Sequence, residues 1–275
     1  MSALAVVVSV YRGDNLDDVV QAFESLAESE GDKKLLIGVD GPVGAETDRF
    51  LDGFAADHAE AEVIRFPVNR GLAHVLNDLI DRALLDADCR YVARMDADDL
   101  CEPPRFVEQM TALDSRPTLA VLGSWATKID AEGREIGLIR KSNDERTLKR
   151  GLSFDSPFVH PSVMIRAAVL RQGYRYPTDT IRFEDVALWS RLAIDGHEFG
   201  NLQQPLLRYR FSTATAARRT GRRKIGSETR VRFHYLWKTS PYRLDLFALV
   251  FGIAAAKLVC PPRLLRHLIR LRTAR

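Results

Sequence analysis

The chain has 275 residues, of which 46% are hydrophobic and 28% charged, enough apolar material for one large domain or two small ones. Its 17 Gly and 12 Pro, and the lack of any repeat at solenoid or propeller periods, exclude collagenous, low-complexity and repeat architectures, and wholesale disorder is excluded with them. The net charge of +3 hides a division: from Arg208 onward 17 Lys and Arg face only Glu228 and Asp245, a balance of +15 that leaves −12 on the chain before it.

Residues 3–10 form an apolar run with neither a basic leader nor a small-residue cleavage site, so they are predicted to be a strand and not a signal peptide. A helix is expected from about Asn15, with Leu16, Val19, Val20, Phe23 and Leu26 on one face and Gly31 marking the end of the element. A second buried strand follows over 34–40 and a third over 62–66; 71–85 reads as a helix with Leu72, Val75, Leu76, Leu79 and Ile80 inward. A fourth strand over 91–95 completes a βαβ series, the pattern of an α/β protein with a Rossmann-like, mixed but mainly parallel sheet flanked by helices. Beyond it the periodicity predicts a helix over 105–115, a strand over 119–129 and helices near 167–172 and 185–195. Residues 213–226 are small, polar and basic, the composition of a linker. Cys89, Cys101 and Cys260 match neither the paired spacing of a zinc site nor a disulfide framework, and fit a reducing compartment.

Ligands of open α/β sheets collect outside the carboxyl ends of the strands, which places Tyr11, Asp40, Asn69 and the acids of Arg94-Met95-Asp96-Ala97-Asp98-Asp99 along one rim. Three carboxylates in four residues repel one another. A divalent Mg²⁺ or Mn²⁺ would supply the counter-charge and could bridge Asp98 and Asp96 to a nucleotide diphosphate; a solvated acidic turn capping the next helix is the other reading. Arg94 would neutralise these acids, touch a nucleotide, or serve only as a structural ion pair.

Ser9-Val10-Tyr11, Asp40-Gly41-Pro42, Asn69-Arg70-Gly71-Leu72, Arg94 through Asp99, and Glu184-Asp185 stand in the order found in family 2 glycosyltransferases of the GT-A fold. The resemblance covers roughly residues 4–210 and is nearest to the exopolysaccharide branch typified by amylovoran biosynthesis enzymes. It implies that Asp96, Ala97 and Asp98 meet the donor, Asp98 most directly through metal, with Asp40, Ser9 and Tyr11 about the nucleotide, and it extends the donor site to Asn69, Arg70, Arg94 and Asn77. This chain has Asp40-Gly41-Pro42 where many relatives have two acids, and a simple turn or helix cap would explain Gly41, Pro42 and Asn69 as well. The resemblance further implies that Asp185 of Glu184-Asp185-Val186-Ala187-Leu188-Trp189 is the general base with Glu184 beside it at the pocket, and that His160 of His160-Pro161-Ser162 meets donor phosphate or acceptor sugar, a satisfied core histidine being the other reading; helical spacing with Leu188 and Leu192 puts Trp189 in the core.

The expected activity is inverting transfer of a hexose from a nucleotide sugar, a UDP-sugar by resemblance, to a lipid-linked or glycan acceptor in surface polysaccharide synthesis. The expected division is a glycosyltransferase domain over 1–212, with its nucleotide part in about 1–100 and its acceptor part in about 101–212, then a basic linker and amphipathic helical tail over 213–275. The apolar run 246–256 is too short to span a bilayer; with Arg243, Lys257, Arg263, Arg266 and Arg270 around it, it suits an interfacial anchor on anionic lipid at the cytoplasmic face, or a surface that packs on the body. No reading motif for nucleic acid is present. A sugar-nucleotide pyrophosphorylase would need a Gly-rich basic loop where Tyr11-Arg12-Gly13-Asp14 stands, and a non-catalytic adaptor would have no use for an intact acid set.

Overall fold

The computed structural model describes residues 2–211 and 222–259. Its first half alternates strand and helix: β1 (Leu4–Tyr11), α1 (Leu16–Glu28), β2 (Lys34–Asp40), α2 (Ala45–Asp57), β3 (Ala61–Phe66), α3 (Leu72–Leu84) and β4 (Tyr91–Asp96). β1 lies between β2 and β4, parallel to both, and β3 extends the sheet beside β2. Strands covered on both faces must be apolar throughout, which is why β1 reads Leu-Ala-Val-Val-Val before its first polar residue.

The alternation of side chains along β1 divides the core. Ala5 and Val7 face Val75, Leu76 and Leu79 of α3, while Leu4, Val6, Val8 and Val10 face Val19, Phe23 and Leu26 of α1. α1 begins where Asn15 Oδ1 accepts the amide N–H groups of Asp17 and Asp18, and those two acids sit favourably in its first turn. Gly38 lets α3 approach β2 closely, because a Cβ there would run into the Val75 side chain.

The second half is less regular. β5 (Leu100–Cys101), α4 (Arg105–Ser115), β6 (Leu119–Ile129), β7 (Glu135–Ile139) and α5 (Glu145–Gly151) precede β8 (Met164–Arg166), α6 (Ala167–Leu170), α7 (Glu184–Ile194) and β9 (Glu198–Arg210). The sheet order is β3-β2-β1-β4-β8-β6-β9-β5, with β7 pairing the distal part of β6. β8 joins β4 and β6 by antiparallel pairing, while β9 returns parallel to β6 along most of its length.

The helical pattern expected after the second strand is α2, which meets the core through Phe50, Leu51 and Phe54. Periodicity did not predict α5, β5, β7, β8 or β9; β9 is interrupted by Gln203, Gln204 and Pro205, where its register against β6 shifts. Part of the expected linker is also corrected: residues 222–226 belong to α8 (Arg222–Thr239), while the rest of it lies outside the described residues.

α8 is bound to the body. Arg232 Nη1 donates to the Leu152 carbonyl (2.7 Å), Tyr235 Oη to that of Lys149 (2.8 Å), and the Ile181 N–H donates to Ser227 Oγ (3.1 Å). α9 (Leu244–Val259) contains the apolar run and folds back on α8 through Leu236, Leu246 and Val250, with Lys257 paired to Glu228 at 2.6 Å. No helix among the described residues is long and apolar enough to cross a membrane. The basic-apolar repeat from Arg263 onward lies outside the described residues.

Candidate active site

Parallel register assembles one side of the site. Tyr11 is paired with Asp40 at the ends of β1 and β2, and Ser9 with Asp96 across to β4. Gly41, at φ +79°, turns the chain so tightly that a Cβ would stand 2.6 Å from the Asn69 nitrogen. The Arg70 and Gly71 N–H groups donate to the two oxygens of the Asp40 carboxylate, at 2.7 and 2.9 Å, and Asn69 Nδ2 donates to the Asp40 carbonyl at 3.0 Å. Asp40 is buried at 3% exposure, so its first task is to hold the loop that leads into α3. Arg70 stacks over the Phe66 ring and pairs with Asp78.

The acid cluster sits at the end of β4. Asp96, Asp98 and Asp99 each present a carboxylate oxygen within 4.8 Å of the others. Arg94 is buried at 3% exposure and grips Asp96 with both terminal nitrogens of its guanidinium. Burial first, and then the Asp96 charge, push Asp98 up to about 6. Burial and the two neighbouring acids push Asp99 well above the usual carboxylate range; its Oδ1 accepts the Arg210 N–H at 2.8 Å, and its buried Oδ2 has no hydrogen-bond partner among the described residues. Converging hard oxygens, one of them buried and unsatisfied, fit a divalent cation.

Arg210, which sequence reasoning missed, holds this turn. Its Nε donates to the Asp98 carbonyl (2.8 Å) and pairs with Asp18 (3.1 Å), Nη1 donates to the Ala131 carbonyl and Nη2 to Gln21 Oε1 (each 3.0 Å). Arg210→Met should therefore lower stability by about 3–5 kcal/mol, the usual cost of removing one partner from a buried ionic network. Urea unfolding checks this; a loss below about 1 kcal/mol would mean that the network is dispensable.

The opposite wall comes from the second half of the chain. His160 Nε2 lies 3.1 Å from Tyr176 Oη, and both rings pack against Trp189, which is fully buried as expected. Burial, followed by the Arg94 charge, pushes the imidazole well below its usual range, so His160 is neutral. Asn77 lies behind this wall: its amide accepts the Tyr176 N–H and donates to the Tyr176 carbonyl, at 2.9 and 2.8 Å. The structure thus engages Asn77 as a brace between α3 and the segment that leads to α7.

Glu184 and Asp185 open α7. The residue two before Glu184, Arg182, has φ +53°, an uncommon conformation for a non-glycine residue that marks a tightly determined turn. Burial pushes both carboxyls up, most directly for Asp185, and the nearby charges of Arg94 and Lys224 act in the opposite direction. Arg94, bonded to Asp96, is also close enough for its charge to act on Asp185. Tyr176 and Lys224, like Arg210, belong to the site yet carry no signal in local sequence.

The fold and this rim define a GT-A glycosyltransferase. The S. aureus protein TarS 1–349 in complex with UDP superposes with a TM-score of 0.67 at 13% identity, over 90% of this chain and 70% of that one. The mannosyltransferase PcManGT of Pyrobaculum calidifontis, in complex with GDP-Man and Mn²⁺, gives 0.60 at 15% identity, over 98% and 80%. Residues 5–173 match glycosyl transferase family 2, and the chain belongs to that family. Among its relatives are the amylovoran biosynthesis glycosyltransferase AmsE of Erwinia amylovora, 28% identical over 82% of this chain and 83% of that protein, and the UDP-Gal:alpha-D-GlcNAc-diphosphoundecaprenol beta-1,3-galactosyltransferase of Escherichia coli, 25% identical over 84% and 82%.

Proposed function

We propose that this glycosyltransferase moves a hexose from a UDP-sugar, with inversion, to a hydroxyl of a lipid-linked or glycan acceptor in surface polysaccharide synthesis at the membrane. One observation carries the reading: an acid cluster at a strand end and a second buried carboxylate, Asp185, both lie within electrostatic reach of the buried Arg94. The relatives and structural neighbours named above, with their nucleotide and nucleotide-sugar ligands, support the donor class.

Donor is held at the rim, its nucleoside beside Tyr11 and the Asp40-braced loop and its diphosphate toward Asp96 and Asp98. Asp98 and Asp96 would hold a Mn²⁺ or Mg²⁺, which would supply charge neutralisation for a leaving diphosphate. Asp185 takes the proton of the acceptor hydroxyl as its oxygen attacks the anomeric carbon from the opposite face. Neutral His160, held in place by the buried Tyr176 hydroxyl, and Glu184 border the acceptor. Radiolabelled UDP-hexoses, offered with lipid diphosphate sugars, test the reading: transfer with inverted anomeric configuration is expected, and retention or donor hydrolysis alone would overturn it.

The base also sets a pH dependence. Asp185 must be ionised to accept a proton, so activity is lost as pH falls through its raised pKa. Lys224 opposes that rise, so Lys224→Ala should move the acidic limb of kcat/KM to higher pH. An unmoved or lowered limb would separate Lys224 from the base.

A further inference from the structure

Arg232 is a cation on the inner face of α8, with only 6% of its surface exposed. Burying a guanidinium is costly, and an apolar side chain of similar size would pack the helix as well, so its presence points to a task other than stability. Its bonds hold it from two sides. Nε donates to Glu228 Oε1, one turn earlier on α8, at 3.1 Å, and Nη1 donates to the carbonyls of Leu152 and Asp155, at 2.7 and 3.2 Å, in the segment after α5. The other oxygen of Glu228 accepts from Lys257 Nζ of α9 at 2.6 Å, so both helices of the hairpin fix the guanidinium. Held in this way, it lies over the Phe183 ring, its central carbon 4.9 Å from the centroid.

Phe183 is the residue on which α7 starts. It caps the helix immediately before Glu184 and Asp185, its carbonyl accepts the Ala187 N–H at 3.1 Å, and no side chain supplies a capping bond. A helix end without such a bond depends on packing for its position. α8 supplies that packing: besides Arg232 on Phe183, Ser227 Oγ accepts the Ile181 N–H at 3.1 Å, and Arg182 between these two contacts is held at φ +53°. The charged and titratable groups that act with Asp185 are Arg94 of β4, Lys224 and Arg232 of α8, its neighbour Glu184, and Tyr176. Arg232 and Asp185 each favour the ionised form of the other. α8 lies beyond residues 5–173, the part of the chain that matches the family.

We infer that Arg232 is a positioning residue for the general base: it seats the Phe183 end of α7 against the segment after α5 and so fixes where the Asp185 carboxylate stands. The inference rests on the transferase reading, in which Asp185 takes the acceptor proton. It gives the hairpin a part in the reaction, since Glu228 and Lys257 hold the group that holds the base.

Arg232→Met and Arg232→Lys test this in the full chain, with the UDP-hexose and lipid diphosphate sugar that support transfer. Methionine keeps much of the volume and removes both the charge and the bonds. Its kcat should fall about tenfold or more, as for a reacting group displaced by up to about 1 Å, with the donor KM within about twofold. The acidic limb of kcat/KM should move to higher pH, because Asp185 loses a cation that favours its ionised form. Lysine keeps the charge and loses the planar fork, so it should return the limb to its parental position while kcat stays at least about threefold below the parent. Amide hydrogen exchange needs no acceptor: in both variants the first turn of α7 should exchange at least about tenfold faster, with β1 and β2 unchanged. If Arg232→Met does not fold, Arg232→Lys decides. Parental kcat in Arg232→Lys would overturn the inference, as would a kcat in Arg232→Met that falls only in step with the folded fraction, with the limb unmoved and the α7 exchange unchanged. If the α7 exchange rises as expected and even the parent protein transfers no UDP-hexose, the transferase reading fails while the seating of α7 by Arg232 stands.

Discussion

Asp185→Asn is expected to reduce kcat by roughly 100- to 10,000-fold, the range for loss of a positioned general base. The amide keeps the shape of the carboxyl at the start of α7 and removes only its ability to take a proton. With the donor proposed at the Asp40 and Asp96 rim, the affinity for UDP should stay within about twofold. Stability should move in the opposite direction from activity. A carboxyl whose pKa is raised by burial destabilises the folded state at pH values above its unfolded pKa, and this cost disappears as pH falls and the group is protonated. At pH 7 the amide variant should therefore melt at the same temperature as the parent or higher. Substantial transfer by this variant would remove Asp185 from the mechanism; a large fall in melting temperature would make its loss of activity a folding effect.

Asp98→Asn should produce the second large effect, a loss of about 100-fold or more in transfer, because a cation clamp on the diphosphate contributes several kcal/mol to the transition state. Metal-dependent donor binding should be lost with it. In the parent protein, Mn²⁺ together with UDP should raise the melting temperature above the value with UDP alone, since a ligand specific for the folded state stabilises it. In the variant that increment should vanish. The protein itself should not suffer, since a neutral amide at this position relieves repulsion from Asp96 in a setting that already pushes Asp98 up to about 6. An undiminished Mn²⁺ increment in Asp98→Asn would place the cation elsewhere.

These expectations rest on features that differ in how far the sequence reveals them. The first four strands and the helices α1 and α3 follow from apolar runs and a 3.6-residue period, because parallel strands covered on both faces and helices docked on them tolerate few other patterns. The acid cluster is equally visible, as three carboxylates directly after a buried strand. Asp185 is different: one acid in a helical first turn is ordinary, and only its resemblance to the Glu-Asp segment of the family singles it out. Asn77 stands in a motif that the sequence shows, but the engagement of its amide by the backbone of Tyr176, 99 residues away, has no local trace.

By itself, then, the sequence determined the alternating α/β half, the strand-end rim of Ser9, Tyr11, Asp40 and Asp96, and the family to which the chain belongs. Those properties are written in local periodicity and in short motifs, where each residue's environment is set by neighbours a few positions away. Only the tertiary structure decided that β9 returns parallel to β6, that Arg210 thereby reaches the Asp98 turn over 112 positions, and that α8 brings Lys224 to the Asp185 wall. Such placements depend on strand order and register, which arise from the packing of the whole sheet and leave no periodic trace in the segments they join.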